Sequence, residues 1–263
     1  MTTADAAVRA ALSVVGQTED PPGSNHCPIT RELDATFPRV PLASGGSSTR
    51  GGTSWCGSFT FWALWKSGYP IDTQRGCLVV NGVDIWDFYT PADVNAWKKA
   101  GRWLDWRETP PVGALVYYDW QGTHGTTSLT DHVGIVTAVS PDGTFISTVE
   151  GNTSPVGFVS NGGGVYAFGP HEPGAPARPR SSMVGFGLPL YSTAPTGDDD
   201  PMTYLGRLSD GSYFVRGAGL ARRVNQEELD GIYRGLTVTD VPAGSNMEYW
   251  VKQELKAYDK AVQ

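Results

Sequence analysis

The sequence predicts an α+β fold. A few helix-length apolar patterns stand apart in a chain otherwise punctuated by 33 Gly and 19 Pro, and the segments between those breakers are short and rich in β-branched and aromatic residues. Composition agrees, since 40% hydrophobic residues with nine Trp, eleven Tyr and nine Phe supply a core that a disordered chain lacks. At 263 residues there is room for one large domain and a small second one.

Ala7, Val8, Ala11, Leu12 and Val15 recur at helical spacing, so a helix is predicted over Ala4–Val15, with Thr3 as N-cap and Gly16 as its stop. Pro-Pro-Gly-Ser-Asn at 21–25 then forces a loop. A second helix is predicted over Trp55–Lys66, capped by Ser54 and ended before Gly68-Tyr-Pro70, which puts Cys56 in its first turn. Pro91–Lys99 reads as a short helix, and Leu104–Trp106 as an aromatic stretch leading to Pro110-Pro-Val-Gly113. Strand patterns follow at Gly113–Asp119, His132–Val139 and Thr144–Val149, with Ser140-Pro-Asp-Gly143 as a hairpin turn and Met183–Tyr191 as a last strand.

Ser192–Pro201 (STAPTGDDDP) has the composition of a linker, which divides the chain into a domain over 1–191, a linker over 192–201 and a small C-terminal α+β domain over 202–263. The latter is predicted to hold a hairpin (Tyr204–Leu208 and Tyr213–Arg216), a short helix near Gln226–Tyr233 and a closing helix. Ser245-Asn-Met-Glu248 forms a capping box at the start of that closing helix. From Asp198 onward eight Lys+Arg face eleven Asp+Glu, so attraction to an anionic surface is not its role.

A formal charge of −7 argues against a partner held through phosphates, so neither nucleic acid nor anionic lipid is expected. No stretch approaches 18 consecutive apolar residues, and Asp5 and Arg9 interrupt the N-terminal apolar pattern, so neither membrane insertion nor a signal peptide is expected. Three cysteines, Cys27, Cys56 and Cys77, cannot all pair within one chain, and none has zinc-binding or redox spacing. Cys27 and Cys77 read as small buried apolar residues, with a Cys27–Cys77 disulfide as the alternative.

Gly51-Gly-Thr-Ser-Trp-Cys-Gly57 places Cys56 where backbone N–H groups and the helix dipole favour a negatively charged sulfur and offer an oxyanion site. The alternative is a cysteine that merely packs under the sheet. A thiolate needs a base, and of His26, His124, His132 and His171 only His132 opens an apolar strand, whence its side chain would project toward a helix packed on that face. The other three lie in Gly, Pro or Thr-rich loops. A turn centred on Pro141-Asp142 makes paired numbers sum to about 283 and sets His132 opposite Glu150-Gly-Asn152. Glu150 is the candidate that fixes the imidazole tautomer, against the alternative of an exposed strand end.

In this order the residues resemble the CHAP domains, the cysteine, histidine-dependent amidohydrolases/peptidases of the papain-like group, over about residues 4–191. The likeness rests on the N-terminal helix with Gly16 and Glu19-Asp-Pro-Pro-Gly-Ser-Asn25, and on Trp55-Cys56-Gly57 leading a helix with Phe59, Phe61 and Trp62. It continues through Gly113-Ala-Leu-Val116, Asp131-His132-Val-Gly-Ile-Val136, Asp142-Gly143 and Val149-Glu150-Gly-Asn152-Thr. Gly162-Gly-Gly-Val165 and Val184-Gly-Phe-Gly-Leu-Pro189 complete it.

The resemblance implies N-terminal helices packed on an antiparallel sheet and hydrolysis of an amide bond in bacterial peptidoglycan, either the muramoyl–L-alanine bond or one within the stem or bridge. Cys56 would be the nucleophile, His132 base and then acid, Glu150 the orienter and Asn152 an auxiliary polar group, with Trp55 and Trp120 as groove walls. Some members bind calcium before the cysteine, but Ala43–Thr53 has no carboxylate, so neither metal nor cofactor is expected. Bacteriophage endolysins share the layout of catalytic domain, linker and small C-terminal domain, which implies a protein made in the host cytoplasm and released to the wall through a holin. The C-terminal domain would then bind the wall or mediate oligomers. Three other readings compete: an inactive CHAP-like virion or wall-binding module, a transpeptidase, and a metal hydrolase using Asp119, His124, Asp131 and His132, which no HExxH motif supports.

Overall fold

The computed structural model describes residues 3–37, 40–41, 47–48, 50–86, 89–120, 130–140, 143, 145–154, 163–169, 176–191, 204–217, 220–223 and 239–240. The chain divides into two compact units, Met1–Thr193 and Ala194–Gln263. The predicted linker, the helix near Gln226–Tyr233, the helix opened by Ser245, His124, His171 and the Pro141-Asp142 turn lie outside the described residues, as do residues 43–46 and 49 of Ala43–Thr53.

The first unit opens with helix α1 (Ala4–Leu12), whose N-cap Thr3 accepts a hydrogen bond from the Ala6 N–H at 3.2 Å. The helix ends three residues earlier than predicted, and Gly16 has the left-handed φ of 90° that lets the chain turn away. Helix α2 (Pro28–Thr36) follows, which the sequence reading missed because its apolar residues are sparse. Cys27 caps it through a reciprocal pair with Thr30, and Pro28 occupies its first position. Two short strands, β1 (Val40–Pro41) and β2 (Ser47–Ser48), pair antiparallel. Helix α3 (Cys56–Lys66) has Trp55, not Ser54, at its N-cap, with no side-chain cap bond.

A small antiparallel sheet, also missed, comprises β3 (Ile71–Asp72), β4 (Cys77–Val80) and β5 (Val83–Ile85). Its strands are too short to show a period of two. Helix α4 (Thr90–Lys99) leads into β6 (Trp103–Asp105). With β7 (Leu115–Tyr118), β8 (His132–Val139), β9 (Ile146–Thr153), β10 (Gly164–Phe168) and β11 (Met183–Gly187), β6 forms an antiparallel six-stranded sheet in the order β10-β9-β8-β7-β11-β6. This is an α+β fold, as predicted, although β11 stops at Gly187 rather than Tyr191.

Alternation along the strands sorts the core. Leu115, Tyr117, Val133, Ile135 and Val149 pack with Trp55, Phe59 and Leu64 of the helical layer, while Val116, Tyr118, Val136, Ile146 and Phe186 form a second cluster. Strand β9 passes so close to α3 that a Cβ at Gly151 would lie 2.5 Å from Phe59 Cβ and 2.8 Å from the Trp55 ring. Glycine here is a packing requirement. Cys27 and Cys77 are buried free thiols, and burial pushes the Cys27 thiol up.

In the second unit β12 (Tyr204–Arg207) and β13 (Tyr213–Gly217) form the predicted hairpin. Strands β14 (Leu220–Arg223) and β15 (Thr239–Asp240) extend it in the order β14-β13-β12-β15, and β12 and β15 are parallel.

Because the added methyl has nowhere to go, Gly151→Ala is expected to destabilise the protein by about 1–3 kcal/mol. Urea denaturation measures this, and an unchanged midpoint would mean that α3 does not press on β9.

Candidate active site

Strands β8 and β9 bring His132 and Glu150 together. Gly134 pairs with Glu150 and Val136 with Thr148, a sum of 284, and the register shifts between Val136 and Ala138. His132 and Glu150 are therefore diagonal neighbours on one face, and their carboxylate–imidazole contact crosses position 134. A Cβ there would lie 2.6 Å from Glu150 Cγ, so Gly134 opens the path. His132 Nε2 donates to Glu150 Oε2 at 2.9 Å, and both residues are buried, at 5% and 0% exposure.

The Cys56 side chain stands close enough to His132 to help hold the imidazole proton. The contact arises where the first residue of α3 meets the first residue of β8. Val133 and Ile135 enter the core against the helices, so His132 shares its face with Tyr118, Thr148 and Glu150 rather than with the helical layer. It meets α3 at the first residue of that helix, Cys56. Cys56 is a free thiol at 6% exposure.

The electrostatics favour an imidazolium. Burial alone would strip the proton from His132, but its hydrogen bonds with Cys56 and Glu150, and their charges, push it up to about 9. Burial would likewise raise the Glu150 carboxyl, yet His132 and then Arg178 hold it down to about 2. Tyr118 donates its hydroxyl to Glu150 Oε1 at 3.0 Å, and Thr148 donates to the same oxygen at 2.8 Å. Burial pushes the Tyr118 hydroxyl well above its ordinary range, so it stays a neutral donor.

Of the predicted groove walls, Trp120 is partly exposed and stands beside the imidazole, 5.5 Å between centroids, stacked on Tyr118 at 4.9 Å. Trp55 is a correction. It has no exposed surface, and its indole N–H donates to Glu19 Oε1 at 2.9 Å, so it anchors the start of α3 and lines no groove. Glu19 also accepts from the Asn25 N–H at 3.1 Å, tying the 19–25 loop to the helix. Asn152 is half-buried with a left-handed φ of 55°, and among the described residues it makes no hydrogen bond to Cys56, His132 or Glu150. His26 is exposed beside Gly51.

Sequence reasoning missed Tyr118, Thr148 and Arg178. Thr148 lies two residues before Glu150, a strand spacing that could have suggested it. Tyr118 is joined to His132 through a long connection whose length hides the register, and Arg178 sits among prolines without periodicity.

Residues 48–152 match the family model described as the CHAP domain. Among solved structures the chain is similar to the crystal structure of a wild-type endolysin, LysIME-EF1. That likeness has 12% identity and a TM-score of 0.33, and covers 86% of this chain and 95% of that one. No curated protein matches.

The His132 proton predicts how stability depends on pH. Its folded value near 9 exceeds the ordinary 6.5, so its contribution is complete below about 6.5 and disappears as pH rises through 9. Glu150, near 2 against an ordinary 4.5, contributes fully above about 4.5 and loses that contribution as pH falls toward 2. Thermal melts are expected to show a midpoint declining between pH 6.5 and 9 in wild type. A decline of equal size in His132→Gln would contradict this account.

Proposed function

We propose that the protein, whose residues 48–152 match the CHAP-domain family model, is a peptidoglycan hydrolase in which Cys56 cleaves an amide bond of the wall peptide by way of a thioester. The observation that carries this reading is the free Cys56 thiol at the start of α3, beside a buried histidine whose Nε2 is held by a buried carboxylate. Glu150 occupies Nε2, which leaves Nδ1 for the sulfur.

His132 takes the thiol proton through Nδ1 as the sulfur becomes the nucleophile. The sulfur attacks the scissile carbonyl carbon, and negative charge develops on its oxygen near the first N–H groups of α3, which have no intrahelical acceptor. The C–N bond then breaks as His132 gives its proton to the departing amine. Neutral Nδ1 next takes a proton from water, hydroxide attacks the thioester, and the sulfur leaves with its electron pair. Throughout, Glu150 remains ionised and keeps the ring in one tautomer. Partly exposed Trp120 supplies a flat wall on which a peptide can lie beside the imidazole.

Purified peptidoglycan digested with wild type is expected to show a new terminus by mass spectrometry. A free N-terminal L-alanine would identify an amidase, and a terminus inside the stem or bridge an endopeptidase. Cys56→Ser is expected to lower the rate by on the order of a thousandfold or more with the fold retained. Products that do not depend on Cys56 would remove the mechanism, and no product at all would favour a wall-binding module. Glu150→Gln is expected to lose on the order of a hundredfold less than Cys56→Ser. Its alkaline limb should move to lower pH, because the carboxylate that holds the imidazolium is gone; equal losses would give Glu150 another role.

A further inference from the structure

Glu150 is shared by two cations. Besides His132, it accepts from Arg178: Nη2 to Oε2 at 3.0 Å, Nε to Oε2 at 3.2 Å and Nε to Oε1 at 3.3 Å. The remaining reach of Nη2 goes to Thr153 Oγ1 at 3.0 Å. The guanidinium carbon lies 3.7 Å from the centroid of the Phe168 ring and 4.8 Å from that of Trp120, and the side chain is only 18% exposed. Phe168 belongs to β10, Trp120 follows β7, and Arg178 comes from the segment running into the short helical turn Arg180–Ser182 before β11. One side chain therefore ties the carboxylate to the aromatic wall of the site.

We propose that Arg178 is a positioning residue of the Cys56–His132–Glu150 arrangement: its planar fork fixes the Glu150 rotamer, shares the carboxylate charge with His132 and holds Trp120 beside the imidazole. A carboxylate facing only the imidazolium would bind that proton strongly and resist giving it up. The permanent charge of Arg178 offsets part of that hold and is insensitive to pH. Lysine would keep the charge but lose the bidentate geometry and the flat stacking surface.

Among the described residues, the groups facing His132 are few. Cys56 comes from α3, Glu150 from β9, and the buried, neutral Tyr118 from β7, with Trp120 beyond it. Asp131 precedes it in the chain, accepts from the Trp120 N–H, and has its carboxyl raised chiefly by burial and also by Asp119. Arg178 reaches His132 through Glu150.

This inference rests on Cys56 being the reactive thiol, and its first measurement needs no substrate. The full-length protein is alkylated with iodoacetamide across a pH series, and the Cys56 peptide is followed by mass spectrometry so that buried Cys27 and Cys77 do not contribute. Removing a positive charge disfavours the thiolate and favours the imidazolium, so in Arg178→Ala the Cys56 profile is expected to move to higher pH by roughly one unit. In Arg178→Lys the profile stays at the wild-type position, while kcat/KM on peptidoglycan falls about tenfold because the fork is lost.

A folded Arg178→Ala protein with an unmoved profile would overturn the proposal. Should that variant fail to fold by circular dichroism, the Lys variant decides: wild-type kcat/KM there would also overturn it. A shifted profile in a protein that cuts no peptidoglycan would support Arg178 and remove the hydrolase reading instead.

Discussion

A carboxylate with no exposed surface governs the site. Burying an isolated charge costs several kcal/mol, so Glu150 can remain ionised only where donors surround it. Four residues supply them: His132, Tyr118, Thr148 and Arg178. These come from β7, β8, β9 and the segment before β11, so the sheet cannot change register without stranding the charge. Gly134 belongs to the same constraint, because the path from Glu150 to His132 passes over its missing side chain. Specificity of the arrangement and its electrostatics thus have one origin.

Cys56 is placed by a second, apolar constraint. Helix α3 is buried along most of its length, and Gly151 lets it approach β9 closely. Trp55, immediately before Cys56, is locked by packing and by its bond to Glu19, which also holds the 19–25 loop. Rotation of α3 about its axis is therefore resisted at the residue that precedes the sulfur. Polar contacts set His132 and Glu150, and packing sets where Cys56 meets them.

Much of this was readable in the chain because it is local. His132 and Glu150 lie on one hairpin, and a short turn with a Ser-Pro-Asp-Gly signal relates their positions within a residue or two. The paired sum is 285 beside the turn, and the register shift between Val136 and Ala138 brings it to 284 at Glu150, against the expected 283 or so. Cys56 at a helix start was readable for the same reason, since glycines, a tryptophan and an apolar run announce the helix. The Ser54 cap and the role of Trp55 were misread, because a tryptophan beside a nucleophile looks alike in sequence whether it faces solvent or core. Helix α2 and the β3-β4-β5 sheet escaped because their apolar residues are too few for a period to show.

The sequence by itself determined the fold class, the hairpin that joins His132 to Glu150, and the helix start that carries Cys56, for each depends on residues close together in the chain. Only the tertiary structure decided that His132 meets Cys56 where α3 and β8 begin, that Trp55 is an anchor, and that Tyr118 and Arg178 complete the shell of Glu150. Those contacts join segments tens of residues apart. The physical reason is that strand periodicity and turn chemistry act over a few residues, whereas the cost of burying a charge is settled by whatever the whole fold brings beside it.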